Sequence, residues 1–249
     1  MQELSMNKQD CETAVITGAA GEIPAAIAKR FHDRNIRLLL SDISMEALTP
    51  LVESLGGEQS CYGMMQDVSK AEDAERLALK CQEIFGKVDY IVTAAGLYQH
   101  LPLGEIGVSE WRNSLAINLD GVFYTIQALR PLLSHRSSIV NLASLAGQRG
   151  SINHTPYATA KGGVLTLTRS LAQELSPLTR VNAVSPGLID TRMMKSLDEI
   201  KRQNMIDSTP LQRLGRPDEV ASVVDFLCSD AASYITGEAI QVNGGLYIN

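Results

Sequence analysis

Short runs of aliphatic and β-branched residues recur along this chain, separated by longer stretches whose apolar positions fall three and four apart. That alternation limits the possible folds more than any other feature. The runs at 13–18 (TAVITG), 37–42 (RLLLSD), 61–67, 88–96 (VDYIVTAAG), 138–144 (SIVNLAS), 180–186 and 239–244 predict seven strands. Several are almost uniformly apolar, as strands covered on both faces must be, which points to a parallel sheet. Between them the spacing predicts helices over 24–34, 70–85, 110–133, 157–175 and 218–228. The chain therefore reads as α/β, a doubly wound and mostly parallel seven-stranded sheet with helices on both faces. No repeat, low-complexity tract or linker breaks the pattern, so 1–249 is expected to form one domain.

Composition narrows the class. With 45% hydrophobic residues, a 249-residue chain can bury one sizeable core. A formal net charge of −6 without any lysine–arginine cluster argues against a nucleic-acid partner. The N-terminal MQELSMNKQDCE is polar, so 1–11 is expected to be a flexible leader rather than a signal peptide. No apolar run approaches the ~18 residues of a membrane span. Cys11, Cys61, Cys81 and Cys228 show no C-x-x-C spacing and no histidine cluster, which predicts free thiols and no metal site. A cytoplasmic protein without a membrane partner is the expectation.

Sheets of this kind bind ligands beyond the carboxyl ends of their strands. Asp42, Asp67, Gly96, Ser144 and Pro186–Gly187 each fall at or just past a predicted strand end. The first strand runs into Gly18-Ala19-Ala20-Gly21-Glu22-Ile23-Pro24 and then a helix-patterned stretch. A glycine turn there lets backbone N–H groups approach a pyrophosphate at the positive end of a helix, or it is simply a tight turn. Asp42 lies 18 residues past Pro24, near the ~20 expected for an acid that accepts from the adenosine ribose. Such a carboxylate repels a 2′-phosphate and favours NAD over NADP; Asp42 is also placed to cap the helix that follows. Further on, Tyr157 and Lys161 lie one turn apart on a predicted helix, with Ser144 thirteen residues earlier and Asn118 interrupting an apolar helical face.

These segments together resemble the short-chain dehydrogenase/reductase family along nearly the whole chain. The resemblance rests on TAVITG with its glycine turn, Asp42, QDV at 66–68, AAG at 94–96, Asn118, Ser144, Tyr157/Lys161 and VNAVSPGLIDT at 181–191. The stretch LGRPDEVASVVDFLCSDAASYITGEAIQVNGG is most similar to the subgroup containing 3-oxoacyl-carrier-protein reductases and many sugar, steroid and alcohol dehydrogenases. The resemblance implies a Rossmann fold and a nicotinamide cofactor. It implies Tyr157 as general acid or base, Lys161 bonding the nicotinamide ribose, Ser144 holding the substrate oxygen, and Asn118 holding a water that links Lys161 to solvent. It also implies cofactor contacts at Gly18, Gly21, Glu22 and Ile23, at Asp67, Val68, Ala95 and Gly96, and at Pro186, Gly187, Ile189 and Thr191. A phenol with an ordinary pKa near ~10 is a poor base at neutral pH. A lysine cation about 5 Å away is expected to lower it by ~2 units.

Three positions depart from the family pattern. Relatives of this subgroup show T-G-x-x-x-G-x-G, where this chain has Glu22 and Pro24 at the second and third glycines. Glu22 brings a like charge beside two phosphates, with an expected penalty of about 1–4 kcal/mol. A sister branch with T-G-x-x-G-x-x-G leaves only Pro24 out of pattern, since Gly18 and Gly21 match it. Ala94 replaces an asparagine that helps tie the central strands. The substrate is expected to be a small carbonyl compound or alcohol bordered by Leu97, Tyr98, His100, Leu145 and His154, with 188–208 as a methionine-rich lid or as packing helix. Arg130, Arg149 and Arg192 are the basic residues available to an acidic carrier protein; the acidic chain favours a free substrate. Homo-oligomerisation, as a tetramer or dimer through 110–133, 157–175 and the C-terminus, is implied by the resemblance. The competing reading is a cofactor-impaired scaffold or regulatory subunit.

Overall fold

The computed structural model describes residues 11–57, 60–192 and 199–248. Most of the expected flexible leader, and Met193, Met194 and Leu197 of the expected lid, lie outside them. Seven strands form one sheet in the order β3-β2-β1-β4-β5-β6-β7, and every neighbouring pair is parallel. They are β1 (Thr13–Thr17), β2 (Arg37–Asp42), β3 (Cys61–Met65), β4 (Val88–Thr93), β5 (Leu133–Leu142), β6 (Thr179–Pro186) and β7 (Ala239–Val242). The order reverses between β1 and β4, so a crevice opens beyond their carboxyl ends.

Helices cover both faces. On one face α1 (Glu22–Asp33) and α9 (Pro217–Cys228) pack over Ile16, Leu38, Leu40, Val140 and Val184. The other core, around Val15, Leu39, Ile91 and Ile139, is covered by α3 (Ala71–Ile84), α5 (Gly121–Leu129) and α7 (Thr155–Leu175). The remaining helices are α2 (Met45–Ser54), α4 (Val108–Leu115), α6 (Leu145–Arg149) and α8 (Glu199–Asp207). Among the described residues no helix is long and apolar enough to cross a membrane, and no cluster of three or more His, Cys, Asp or Glu side chains offers a metal site. Burial pushes the thiols of Cys61, Cys81 and Cys228 up to about 12, so all three are neutral and unreactive at physiological pH.

Two predicted elements change shape. The helix expected over 110–133 is broken: a π-helical turn at Ala116–Asp120 separates α4 from α5, and a short 3-10 turn at Arg130–Leu132 ends the run. Periodicity does not reveal the break because α4 and α5 span only about two turns each, too few for a phase shift to stand out. β5 begins at Leu133 rather than 138: its first four residues (LSHR) are half-buried or exposed, and burial starts at Ser137. The buried part carries a polar relay across the sheet: Thr93 Oγ1 donates to Asn141 Oδ1 (2.8 Å), and Asn141 Nδ2 donates to Thr168 Oγ1 on α7 (2.9 Å). Both ends are satisfied, so the relay fixes α7 on the sheet without leaving an orphaned group. Asn141→Ala strands the Thr93 hydroxyl and is expected to lower stability by about 2–3 kcal/mol, read as a lower urea midpoint with an unchanged slope.

Candidate active site

β1 leaves the sheet at Gly18, where φ is +66° and an added Cβ would lie 2.5 Å from Ala95 Cα. Only glycine meets both demands. Gly21 N–H donates to Gly18 O (3.0 Å) and closes the turn. The next two amides, of Glu22 and Ile23, have no acceptor among the described residues, as befits the first turn of a helix. They sit at the positive end of α1, an arrangement that fits a pyrophosphate with two donors. Pro24 withholds a third, and its buried ring packs beside Gly21.

Asp42, at the end of β2, clamps this turn in place. Its Oδ2 accepts from Ala20 N–H (3.0 Å) and its Oδ1 from Ser44 N–H (3.1 Å). Helix α2 is capped by Ser44 instead, whose Oγ accepts from Ala47 N–H (3.2 Å). The Asp42 oxygens keep lone pairs for a ribose hydroxyl. Glu22 keeps its charge beside the anion site, but its carboxylate has partners in the segment after β6. Its Oε2 accepts from the backbone N–H of Arg192 (2.6 Å), and the Arg192 guanidinium reaches Ala20 O (3.4 Å). Arg192, weighed above as a docking residue, is therefore engaged with the glycine turn. The tie missing at Ala94 is made by Thr17, whose hydroxyl accepts from the amides of Ala94 (3.2 Å) and Ala95 (3.4 Å). Past β3, Asp67 accepts from the Ser69 hydroxyl (2.6 Å) and amide (3.1 Å), and the hydroxyl bond above all holds its carboxyl below the usual range. Val68 is buried against Gly121.

Four polar residues, Asn118, Ser144, Tyr157 and Lys161, converge from three elements. Ser144, two residues beyond β5, caps α6 through Ala146 N–H (3.1 Å). An added Cβ at Gly147 would lie 2.5 Å from Lys161 C, so α6 rests directly on α7. Tyr157 stands in the first turn of α7, and Lys161 one turn on is buried with its Nζ donating to Leu142 O (2.7 Å). Asn118, buried in the π-helical turn, brackets Leu97: its Nδ2 donates to Leu97 O and its Oδ1 accepts from Leu97 N–H, both at 3.0 Å. A Cβ on Gly96 would meet Asn118 Oδ1 at 3.0 Å and Lys161 Nζ at 3.7 Å, so both polar ends approach one point. Opposite them, Gly187 follows β6, Ile189 is buried and bridged to Gly215, and Thr191 leads into Arg192.

Electrostatics here departs from the expectation for Tyr157. Burial raises its phenol above the ordinary value, the Ser144 hydroxyl offsets part of the rise, and Tyr98 adds to it. Lys161 lies 5.9 Å from the ring centre and directs its ammonium at the Leu142 carbonyl, so desolvation governs the phenol. Burial also pushes the Lys161 ammonium down to about 8. Over the site, Tyr98 stacks on His154 (ring centres 4.2 Å apart, 13° between planes) and sets its edge against Tyr157 (4.9 Å, 86°).

Known proteins are similar to this chain along nearly its whole length. A family model described as Enoyl-(Acyl carrier protein) reductase matches residues 18–247. A 3-oxoacyl-[acyl-carrier-protein] reductase of Thermotoga maritima is 36% identical over 243 residues, covering 95% of this chain and 98% of the relative. The chain belongs to the short-chain dehydrogenase/reductase family. Within that family it is also similar to a solved short-chain dehydrogenase/reductase of Brucella melitensis described as a glucose/ribitol dehydrogenase. That structure shows 45% identity and a TM-score of 0.89, with 96% of this chain and 97% of that one covered. A second solved structure, gox2181, is 31% identical with the same TM-score and coverage. The chain is thus an oxidoreductase of this family.

Sequence reasoning brought Asn118, Ser144, Tyr157 and Lys161 together correctly as neighbours, but it passed over Thr17 and the partner of Glu22. Thr17 precedes the first glycine and was visible; a contact spanning 170 residues between Glu22 and Arg192 left no local signal. One consequence of the buried lysine is measurable. Between pH 8 and the unfolded value of 10.5 the unfolded chain binds more protons at Lys161 than the native one, so native stability rises with pH there. Wild type is expected to gain melting temperature relative to Lys161→Met as pH rises through that window; a constant difference between them would contradict the burial assigned to the ammonium.

Proposed function

We propose that this oxidoreductase moves a hydride between NAD(H) and the carbon of a ketone or secondary alcohol, with Tyr157 as the acid or base. The observation that carries the reading is the convergence of Ser144, Tyr157, Lys161 and Asn118 beside a helix N-terminus with two free amides. Bound cofactor supplies or accepts the hydride. The amides of Glu22 and Ile23 would hold its pyrophosphate, Asp42 would accept from the adenosine ribose, and Asp67, Val68, Ala95 and Gly96 would border the adenine. Pro186, Gly187, Ile189 and Thr191 would serve the nicotinamide, and Lys161 would bond its ribose.

In reduction, the Ser144 hydroxyl donates to the substrate oxygen and fixes it at the Tyr157 phenol. Tyr157 gives its proton to that oxygen as charge develops; a phenol kept neutral by burial is suited to the task. The N-terminal turn of α7 and the Lys161 cation stabilise the phenolate left behind. Asn118 holds the water through which the proton is replaced. In oxidation the same groups run in reverse, which needs a lower phenol pKa than the ligand-free site has. The Lys161 cation and the first turn of α7 favour the phenolate, and an oxidised nicotinamide bound beside them would add to that effect.

NAD is preferred because Asp42 opposes a 2′-phosphate. A scaffold role is favoured only by Glu22 and Pro24, and the Glu22 carboxylate is already committed to Arg192. Self-assembly belongs to this reading, through the helices α4, α5 and α7 and the β7 edge. Titration with NADH and NADPH tests the cofactor claim: NADH is expected to bind more tightly, and Asp42→Ala to erase the difference. Absence of binding by either at millimolar cofactor would leave the scaffold. Glu22→Gly is expected to tighten NADH by about threefold to tenfold, because one screened charge is removed from the phosphate side. Tyr157→Phe is expected to reduce kcat by about 10²–10⁴-fold with cofactor affinity retained.

A further inference from the structure

The ring of His154 is held on three sides, and the way it is held fixes what its free nitrogen can do. It lies immediately before α7, three residues from Tyr157. Its Nδ1 sits 2.6 Å from Ile152 O and 3.1 Å from Ser151 Oγ. A carbonyl oxygen only accepts, so a contact that short requires the proton on Nδ1. Tyr98 covers one face of the ring, and His100 meets it at 5.2 Å and 76°. The backbone beneath is fixed as well, with Asn153 at φ +62° and its carbonyl accepting from Leu101 N–H (2.7 Å). Burial first, and the neighbouring His100, keep the imidazole below its usual pKa, so it is neutral at pH 7. In a neutral ring with the proton on Nδ1, Nε2 carries a lone pair. No donor meets it among the described residues.

We infer that His154 Nε2 accepts a hydrogen bond from a second hydroxyl of the substrate, so that the site selects polyhydroxylated compounds, a vicinal diol or its hydroxy ketone. The inference rests on the oxidoreductase reading above and adds its substrate class. Tyr98 touches both the His154 face and the Tyr157 edge, so the acceptor and the proton donor flank the same ring. A neutral acceptor rewards a hydroxyl and repels a second carbonyl or ether oxygen, whose lone pairs would face its own. An acceptor whose water the substrate displaces rewards the hydroxyl that replaces it, beyond what fit of shape alone supplies.

Three alcohols of matched ring shape separate these cases: 1,2-cyclohexanediol, cyclohexanol and 2-methoxycyclohexanol, oxidised with NAD by the full chain. The diol is expected to exceed both others at least tenfold in kcat/KM. His154→Leu is expected to bring the ratios near one, and His154→Gln, which keeps an acceptor, to restore part of the preference. Ratios near one in wild type, or ratios unchanged in His154→Leu, overturn the inference. A second measurement does not depend on turnover. In ¹⁵N-labelled protein at pH 7, with His154 assigned by comparison with His154→Gln, the ring is expected as the Nδ1–H tautomer. Saturating diol is expected to move its Nε2 resonance while cyclohexanol does not. An Nε2–H tautomer, or an Nε2 resonance that the diol leaves in place, overturns the inference. Diol-specific movement without oxidation of any of the three alcohols supports the acceptor and counts against the hydride-transfer reading instead.

Discussion

The structure is built around a buried ammonium group that has no counter-charge among the described residues. Among the described residues Lys161 has no carboxylate partner, and its single hydrogen bond goes to the carbonyl that ends β5. Removing such a group from water costs several kcal/mol even after relaxation, and one charged hydrogen bond returns roughly 1.5–3 kcal/mol. The balance has to come from apolar packing elsewhere. Two continuous cores, one on each face of the sheet, supply it and hold α7 where the lysine cannot retreat to solvent. The Thr93–Asn141–Thr168 relay and the contact of Gly147 with the Lys161 backbone serve the same end.

The two ends of the crevice are mechanically joined. Asp42 binds the glycine turn to β2, while Glu22 binds it to the segment that follows β6. Glu22 is therefore a tie between the two halves of the site as well as a charge beside the anion position. Pro24 is accommodated for a related reason, since helix first turns have no use for the amide it lacks and its ring fills space beside Gly21.

Most of the fold was legible because parallel strands buried on both faces leave uniform apolar runs. β2 was read to the residue, and the starts of β1, β3, β4 and β7 were read correctly. The first four residues of β5 were not, because a strand leaving the core loses that signature. Helix α2 showed only its start, just after Asp42, and carries Pro50 inside it, while α6 is too short to show a period. At the site, Asn118, Ser144, Tyr157 and Lys161 were found through order and spacing. Their electrostatics were not, because desolvation depends on what lies above a side chain rather than beside it in sequence. The rise at Tyr157 comes from burial and from Tyr98, 59 positions away. The hold of Asn118 on Leu97 and the Nδ1 contact of His154 likewise depend on loops whose paths only the folded chain reveals.

The π-helical turn at Ala116–Asp120 has a consequence for how this chain can change. A π turn holds one residue more than an α turn, so the helix before it and the helix after it are out of phase by about 100°. That offset lets α5 face the sheet while Asn118 points at Leu97. Loss of one residue beside Asn118 would restore a regular helix and turn one flanking helix by about 100°, so α5 could not keep its face on the sheet while Asn118 kept its hold on Leu97. The site is thus sensitive to chain length as well as to residue identity, and a shortened relative could keep the fold and every motif yet lack this contact.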